Sequence, residues 1–565
     1  MPSIITDQLR LSTASNFVDS VVDSNNSYYV FLGLPNSTAT TPGGAFVGFG
    51  RTSTWTSTGT PPSPIDNFEY ASHYKDTMMF GKKITSSNVR RVVKKYDWSE
   101  NTTYDMYRHD YQKTTLSSPY NKTKNLSGAN YYVITDEFKV YLCIKNGSSG
   151  SQPNGSPSRH KPTFTDLEPS PANTTDDDGY IWKYLFTVSP SDVIKFDSTE
   201  YIILPENWNT TTDSQIKVIR EAADSDVNKN QIKTVYIENG GGSGYSDGIY
   251  DIVGDGSGAK VSITVNSDGQ IIGTNIVSGG SGYTYGIVDL KSGSNNSPAT
   301  LVPIIPPSRG HGYDIYKELL ADKVLVYARF DDSTKDFPVD TNFAQAGILK
   351  NPEQQNSTDL FTLNEFSSLE SLKLSNSTLV STTNYVGAAI TQTVNGQIAR
   401  GYVASYDSDT QVLKLSNSTL VSTTNYVGAA ITQTVNGQIA RGYVASYDSD
   451  TQVLKYFQDR SLNFGDGTTN VDNANVGSEG SRLKFGGTGQ INGQTPSFSV
   501  NIDTGFSGVT TTVNGKIINL GSSFTAGVST SQINKKTGDI IYIDNRTPVS
   551  RDLRQKEDVK IILEF

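Results

Sequence analysis

Residues 372–412 read LKLSNSTLVSTTNYVGAAITQTVNGQIARGYVASYDSDTQV, and residues 413–453 repeat the same text without one substitution. A unit copied in this way is a self-contained structural module, because a segment carrying half of an active site would disturb its neighbours when doubled. Within each copy the alternating stretches ITQTV and QIARGYV flank an Asn-Gly pair, Asn395-Gly396 and then Asn436-Gly437. Asn-Gly between alternating runs is the strongest short-range hairpin signal, since both residues accept positive φ. A second turn at Asp407-Ser408-Asp409-Thr410 leads into QVLKL, so one unit reads as a small β-meander. Perfect identity fits a recent duplication, the alternative being an error of gene assembly.

Moving outward, a diverged duplication lies upstream: GSGYSDGIYDI (Gly242 to Ile252) recurs as GSGYTYGIVDL (Gly280 to Leu290). Its glycines punctuate hairpin turns, and Tyr245 and Tyr283 give each half an aromatic to pack. Downstream, Ser481 to Ser529 alternates further, with Asn-Gly turns expected at Asn492-Gly493 and Asn514-Gly515. DIIYIDNRTPV and DVKIILEF read as two closing strands. Between the duplications, Asp314 can cap IYKELLADKVLVY, where Ile315, Leu319 and Leu320 predict one helix. A second helix is expected in ITDQLRLSTASNFVDSVV, with Leu9, Phe17, Val18 and Val21 on one face and Thr6 or Asp7 as N-cap, docked on its own domain. Strands are expected in YYVFLGLP and AFVGFGRTSTW, from Lys82 to Lys95, from Tyr131 to Ile144, and in the aromatic DGYIWKYLFTV (Asp178 to Val188). Asn146 to Asp178 is polar and rich in Gly, Pro and Ser, which predicts a long surface loop.

A chain of 565 residues has room for three or four domains. Apolar residues make up only 35%, while Gly, Ser, Thr, Asn and Tyr abound, a balance that favours short strands joined by many turns. The fold class is mainly β. A formal charge of -10 without a basic tract predicts no nucleic-acid partner. The lone Cys143 sits in FKVYLCI as a packed thiol, which excludes an intramolecular disulfide and points to a reducing compartment. MPSIITDQLRL lacks a signal-peptide pattern and no long apolar run comes after it, so neither export nor membrane insertion is expected.

Chemistry finds little to build on. His73, His109, His160 and His311 are scattered without metal-ligand spacing, so no metal and no cofactor is expected. Asp176-Asp177-Asp178-Gly179 lacks the alternating ligands of a calcium loop and reads as a solvated turn. GDGSGAKV (Gly254 to Val261) is no phosphate cradle, because strands come after it and Lys260 is misplaced for one. GGSGYSDG resembles a calcium-binding nonapeptide, but Asp247 falls one place late. In RRVVKK the cations Arg90, Arg91, Lys94 and Lys95 suit an edge strand protected from aggregation. No nucleophile elbow and no Cys/His arrangement occurs, and nothing singles out a carboxylate pair; no catalytic residue is assigned.

The aromatic motifs FGRTSTW (Phe49 to Trp55), KKYDW (Lys94 to Trp98), DGYIWKYLFTV, EYIILP (Glu200 to Pro205), IYIDNRTPV and DVKIILEF, taken together and in this order, resemble one family. That family is the baseplate wedge subunit encoded by gene 8 in T-even-like contractile-tailed bacteriophages. The matching positions are Gly50, Arg51 and Trp55; Asp97 and Trp98; Gly179, Tyr180, Trp182 and Tyr184; and Asn545, Arg546 and Pro548. The resemblance implies a β-sandwich core with a few peripheral helices, a homodimer, contacts with other baseplate wedge proteins, and a virion component assembled in the bacterial host cytoplasm. On it rests a domain expectation. Residues 1–225 form the N-terminal part of the wedge core, and 230–306 an inserted Gly/Tyr-rich duplicated β domain. Residues 310–355 continue the core with a helix, 356–535 hold inserted small β modules including the exact repeat, and 536–565 supply strands that close the core. Trp55, Trp98 and Trp182 are expected in the core, behind surface loops that make the contacts. The alternative reading, from 31 tyrosines and the Gly/Tyr modules, is a receptor- or glycan-binding tail protein. A polysaccharide-degrading enzyme comes third.

Overall fold

The computed structural model describes residues 6–33, 60–109, 128–150, 152, 154–225, 228–290, 298–331, 342–375, 389–394, 397–402, 405–407, 412–414, 426, 429–448, 451–458, 484–494, 497–513, 515–550 and 556–565. The chain is mainly β, with several separate sheets and five short helices among the described residues. It divides into two compact units. One holds Met1–Ser20, Ser87–Tyr327 and Lys560–Phe565; the other holds Val21–Ser86 and Ala328–Val559.

In the first unit an antiparallel sheet joins Tyr132–Ile134, Lys139–Asn146 and Tyr180–Thr187. The last two are buried along almost their whole length, which the near-continuous apolar runs YLCI and IWKYLF require. A second sheet places Val89–Lys94 between Lys323–Phe330 and Tyr201–Ile203, with the final strand Glu557–Glu564 beyond Lys323–Phe330. The RRVVKK strand is therefore interior, not the expected edge. Its cations are absorbed locally: Arg90 pairs with Asp192 and Glu206 at 2.9 and 3.0 Å and lies over the Phe196 ring, and Arg91 lies 3.9 Å from the Tyr316 ring centre.

Caps and breaks explain the helices. Asp7–Val22 starts at Thr6, whose hydroxyl accepts the Leu9 N–H, and it docks within its unit by Ala14, by Phe17 against Phe565, and by Arg10 donating to the Phe565 carbonyl. Leu9, expected on the buried face, is half exposed. Pro190–Phe196 has Ser189 as N-cap and Pro190 at its first position, and Ser214–Ala223 has Asp213 as N-cap. Strand patterns on both sides mask these cap signals in the sequence. The helix expected over IYKELLADKVLVY is one turn, Ile315–Glu318, capped as expected by Asp314. Leu320 then takes φ +53° and the chain turns into the strand Lys323–Phe330. The β-branched, aromatic VLVY wins over the short apolar spacing that suggested a longer helix.

The GSGY duplication forms its own small body inside this unit. Ile271–Ser281, Ser257–Val265, Gly248–Gly254 and Gly286–Val288 make one sheet in that order, and Val235–Asn239 pairs with Thr300–Pro303. The duplicated strands pair with each other, Val253 opposite Ile287. Each repeated tyrosine accepts a backbone N–H with its hydroxyl, Tyr283 from Ala259 and Tyr245 from Ala299. Tyr283 is buried, whereas Tyr245 is half-buried.

The second unit contains a five-stranded sheet, ordered Glu365–Ser367, Met78–Ile84, Tyr28–Gly33, Asn342–Lys350 and Asp539–Ser550. A seven-stranded sheet, ordered Val453–Phe457, Gln438–Asp448, Ala430–Val435, Ile491–Gln494, Phe498–Ile502, Glu370–Ser375 and Val528–Ser529, holds the hairpin of the second copy of the exact repeat. Asn436 and Gly437 both take positive φ, +51° and +80°, as the hairpin expectation requires. The equivalent pair Asn395-Gly396 and the turn at 408–411 lie outside the described residues, as does AFVGFGRTSTW. Val513 pairs with Lys516 across Asn514-Gly515, with Gly515 at φ +78°, although Asn514 itself is outside the described residues. Asn492-Gly493 is no turn: both sit in the strand Ile491–Gln494, paired to Ser499 and Phe498. A Cβ on Gly493 would lie 2.0 Å from the Phe498 ring, so this glycine serves a close cross-strand approach.

Candidate functional site

Six of the family-signature residues come together on the first unit, at the base of the loop between Lys139–Asn146 and Tyr180–Thr187. Gly147 and Gly179, at φ +69° and +84°, pinch the two ends of that loop: a Cβ on Gly179 would sit 2.7 Å from Gly147 Cα. No larger residue closes this crossing. Asp178 then ties the loop inward, its carboxylate accepting the N–H groups of Arg159 (2.7 Å), His160 (3.2 Å) and Tyr180 (3.1 Å). Asp176 binds the Arg159 and His160 side chains, each at 3.0 Å. The acidic triplet is thus consumed by its own loop, in keeping with the turn expected from sequence.

Aromatic side chains form the floor. Tyr180 accepts the Tyr104 N–H at 2.9 Å and donates to the Ser156 carbonyl at 2.7 Å. Burial pushes its hydroxyl far above the usual phenol range, so it stays protonated and able to donate. Trp182 is fully buried, stacks on Tyr180 at 5.3 Å and meets the edge of Tyr104 at 5.8 Å. Its backbone exchanges two 2.9 Å hydrogen bonds with Ser170, stitching the middle of the loop to the strand. Its indole Nε1 has no hydrogen-bond partner among the described residues. Trp98 is half-buried and donates to Ser158 Oγ at 3.2 Å, while its neighbour Asp97 pairs with Lys95 at 3.4 Å. Tyr184 is buried against Tyr141 and hydrogen-bonds Thr187. Lys183 donates to the Leu167 carbonyl, and burial lowers its pKa. What remains exposed is the loop's outer side, including Thr174, Thr175, Asp176 and Asp177.

The other signature residues lie elsewhere. In the second unit Asn545 is buried, accepts from the Gln345 amide at 2.7 Å and donates to the Pro62 carbonyl at 2.8 Å. Arg546 pairs with Asp544 at 2.6 Å, and Pro548 falls in the same strand, Asp539–Ser550. Gly50, Arg51 and Trp55 lie outside the described residues. Sequence reasoning missed Trp208, which is fully buried and donates to the carbonyls of Gly312 and Tyr313. Its segment ENWNT carries no strand or helix pattern to flag it.

Chemistry stays sparse. His109 accepts the Ile305 N–H, and His311 binds Glu318 at 2.5 Å in a buried pair that also receives the Gly312 N–H. Among the described residues no group of three His, Cys, Asp or Glu could hold a metal ion, and no helix is long and apolar enough to cross a membrane. Cys143 is buried, its thiol pKa pushed well up by desolvation, as a packed thiol's would be.

No protein-family model matches the chain. Over 222 residues it is 25% identical to the baseplate wedge protein gp8 of Enterobacteria phage T4, a match covering 36% of this chain and 60% of that protein. The chain thus spans less than two thirds of the relative's length, and its relationship to baseplate wedge proteins is distant.

Proposed function

We propose that this chain is a structural subunit of the baseplate wedge of a contractile phage tail, working through rigid surfaces in tail assembly and in the rearrangement that triggers sheath contraction. The observation that carries the reading is the 222-residue match to the baseplate wedge protein gp8. The aromatic floor supports it physically: a loop pinched by two glycines and stitched to a buried Trp-Tyr stack is preorganised, so docking costs it little ordering entropy. In this proposal the exposed outer side of the loop contacts other wedge proteins, and the inserted β modules add further surface. The discontinuous core drawn from the sequence, a homodimer, virion location and assembly in the host cytoplasm belong to the same proposal and rest on the resemblance. Bond-making chemistry has no part in it.

The test is co-expression of the full chain with the wedge proteins of its own phage, followed by co-purification. Changing Thr174 and Thr175 to Arg is expected to weaken recovery of the complex while leaving the circular dichroism spectrum unchanged. Substrate turnover by the purified chain, abolished by loss of one side chain, would overturn the reading.

One observation favours a receptor- or glycan-binding role as the second reading. The GSGY body carries a cavity of about 800 Å³ lined by Tyr245, Val253, Tyr285, Ile287, Asp289 and Leu290. A glycan-array signal from the full chain, lost on Tyr285→Ala, would favour it; silence on the array leaves the structural reading standing.

A further inference from the structure

Among the described residues, the seven-stranded sheet takes its repeated hairpin from the second copy, while the first copy gives it only Leu372–Ser375. In the second copy the hairpin runs from Ala430 paired to Tyr443 through Val435 paired to Gln438, and Ser446, Tyr447 and Asp448 pair with Lys455, Leu454 and Val453. The first copy folds its backbone in the same register. Ala389 pairs with Tyr402 through Val394 with Gln397, and Ser405, Tyr406 and Asp407 pair with Lys414, Leu413 and Val412, of which Leu413 and Lys414 open the second copy. These strands nonetheless form two separate two-stranded sheets. The larger sheet takes Leu372 and Lys373 from the start of the first copy and pairs them with Leu454 and Val453 at the end of the second. It is therefore closed as a single-copy domain would be, with 41 residues of surplus between its strands.

Since the copies are identical, every contact the second makes by its own residues is available to the first: Ile431, Ala440, Val444 and Tyr447 in the core have Ile390, Ala399, Val403 and Tyr406 as their twins. The two differ in their flanks, with Glu370-Ser371 ahead of the first and Gln411-Val412 ahead of the second, and the difference that reaches the core lies in the residues that come after them. The second copy runs on into Leu454-Lys455-Tyr456-Phe457, and the first into Leu413-Lys414-Leu415-Ser416. Tyr456 is fully buried with its ring 4.7 Å from that of Phe485, and Phe457 stacks on Tyr443 at 5.8 Å. Leu415 and Ser416 cannot reproduce two buried aromatic contacts.

We infer that the seven-stranded sheet offers one berth to two interchangeable occupants, and that Tyr456 and Phe457, which come just after the second copy, assign it to that copy. The first copy is a spare: it takes the berth, in register, whenever the second is damaged. Removing either copy yields the same polypeptide, and that chain keeps a complete sheet.

The experiment uses the full chain with Asp placed at buried Ile431 or at its sequence twin Ile390. Ile390→Asp is expected to leave the urea unfolding midpoint where it was. Ile431→Asp is expected to lower it part-way with a cooperative transition retained, because Ile390 takes the vacated place; the double variant is expected to lose that transition. With Tyr456→Leu and Phe457→Ser added, the two single Asp variants are expected to unfold at equal midpoints. The 41-residue deletion serves as the control and is expected to unfold like the parent. An Ile431→Asp variant no more stable than the double variant overturns the inference, as does a deletion variant that fails to fold. Rescue seen only in a concentration-dependent dimer overturns it too, since the occupant would then come from a second chain.

Discussion

Replacing Trp182 by Ala removes the centre of the aromatic floor, and the loss can be worked from its surroundings. The side chain is fully buried between Tyr180 and Tyr104. A buried indole hides on the order of 200 Å², which at about 25 cal/mol per Å² is roughly 5 kcal/mol before the retained methyl is subtracted. Each of the two ring contacts adds about 0.5–1.5 kcal/mol. Against this, Nε1 has no partner among the described residues, so its removal relieves a desolvation cost of about 1–3 kcal/mol. The net expectation is about 3–5 kcal/mol, the range of aromatic-to-Ala truncations in well-packed cores. Urea unfolding followed by far-ultraviolet circular dichroism measures it, with limited proteolysis reporting whether the loop 147–178 becomes cleavable. Trp182→Phe, which keeps a stacking ring, should recover most of the loss. A cost below about 1 kcal/mol, well short of a core truncation, would refute the argument. So would a Trp182→Ala chain that folds normally and fails only to join wedges, since the side chain would then be a contact residue and not a support.

Three further outcomes rest on named contacts. Tyr180→Phe leaves the buried Tyr104 N–H and the Ser156 carbonyl without their partner, and a loss of about 1–3 kcal/mol is expected by the same unfolding assay, with faster amide exchange at Tyr104. Asp255, held to about 2 chiefly by hydrogen bonds from the Thr284 hydroxyl and backbone, has a depressed folded-state pKa against an ordinary 3.8. Its stabilising effect is present above the higher value and lost as pH falls through the lower, so thermal melts between pH 4 and pH 2 should show a decline that Asp255→Asn removes. Asp213→Ala strips the N-cap that accepts from Gln215 and Ile216, and should cost about 1 kcal/mol, visible as increased exchange over Ser214–Ala223.

Short-range turn chemistry was the most legible part of this chain. Asn436-Gly437 announced its hairpin because two consecutive positive φ values leave few other sequences able to close it. The same dipeptide at Asn492-Gly493 misled, because glycine there answers to the Phe498 ring on the neighbouring strand, a demand local sequence does not carry. Period alone could not tell the one-turn helix after Asp314 from a longer one, since Leu320 turns the chain before β-branched residues take over. RRVVKK read as an edge because nothing local reveals that Asp192, Glu206 and Tyr316 supply partners from far along the chain. Of the candidate site, the aromatics around Tyr180 and Trp182 were visible as a motif. Their assembly with Tyr104, Ser156 and Ser170 into one floor depends on a loop closing over them, which only the Gly147–Gly179 crossing explains.

The central claim, that this chain works by presenting fixed surfaces to fellow subunits of a tail baseplate, is tested most directly by a reconstruction of the intact phage particle. The account predicts density for this chain within the wedges of the baseplate, with the outer side of loop 147–178 against a different protein and Trp182 enclosed behind it. Density at a fibre tip facing solvent, or an absence of this chain from the assembled tail, would contradict it.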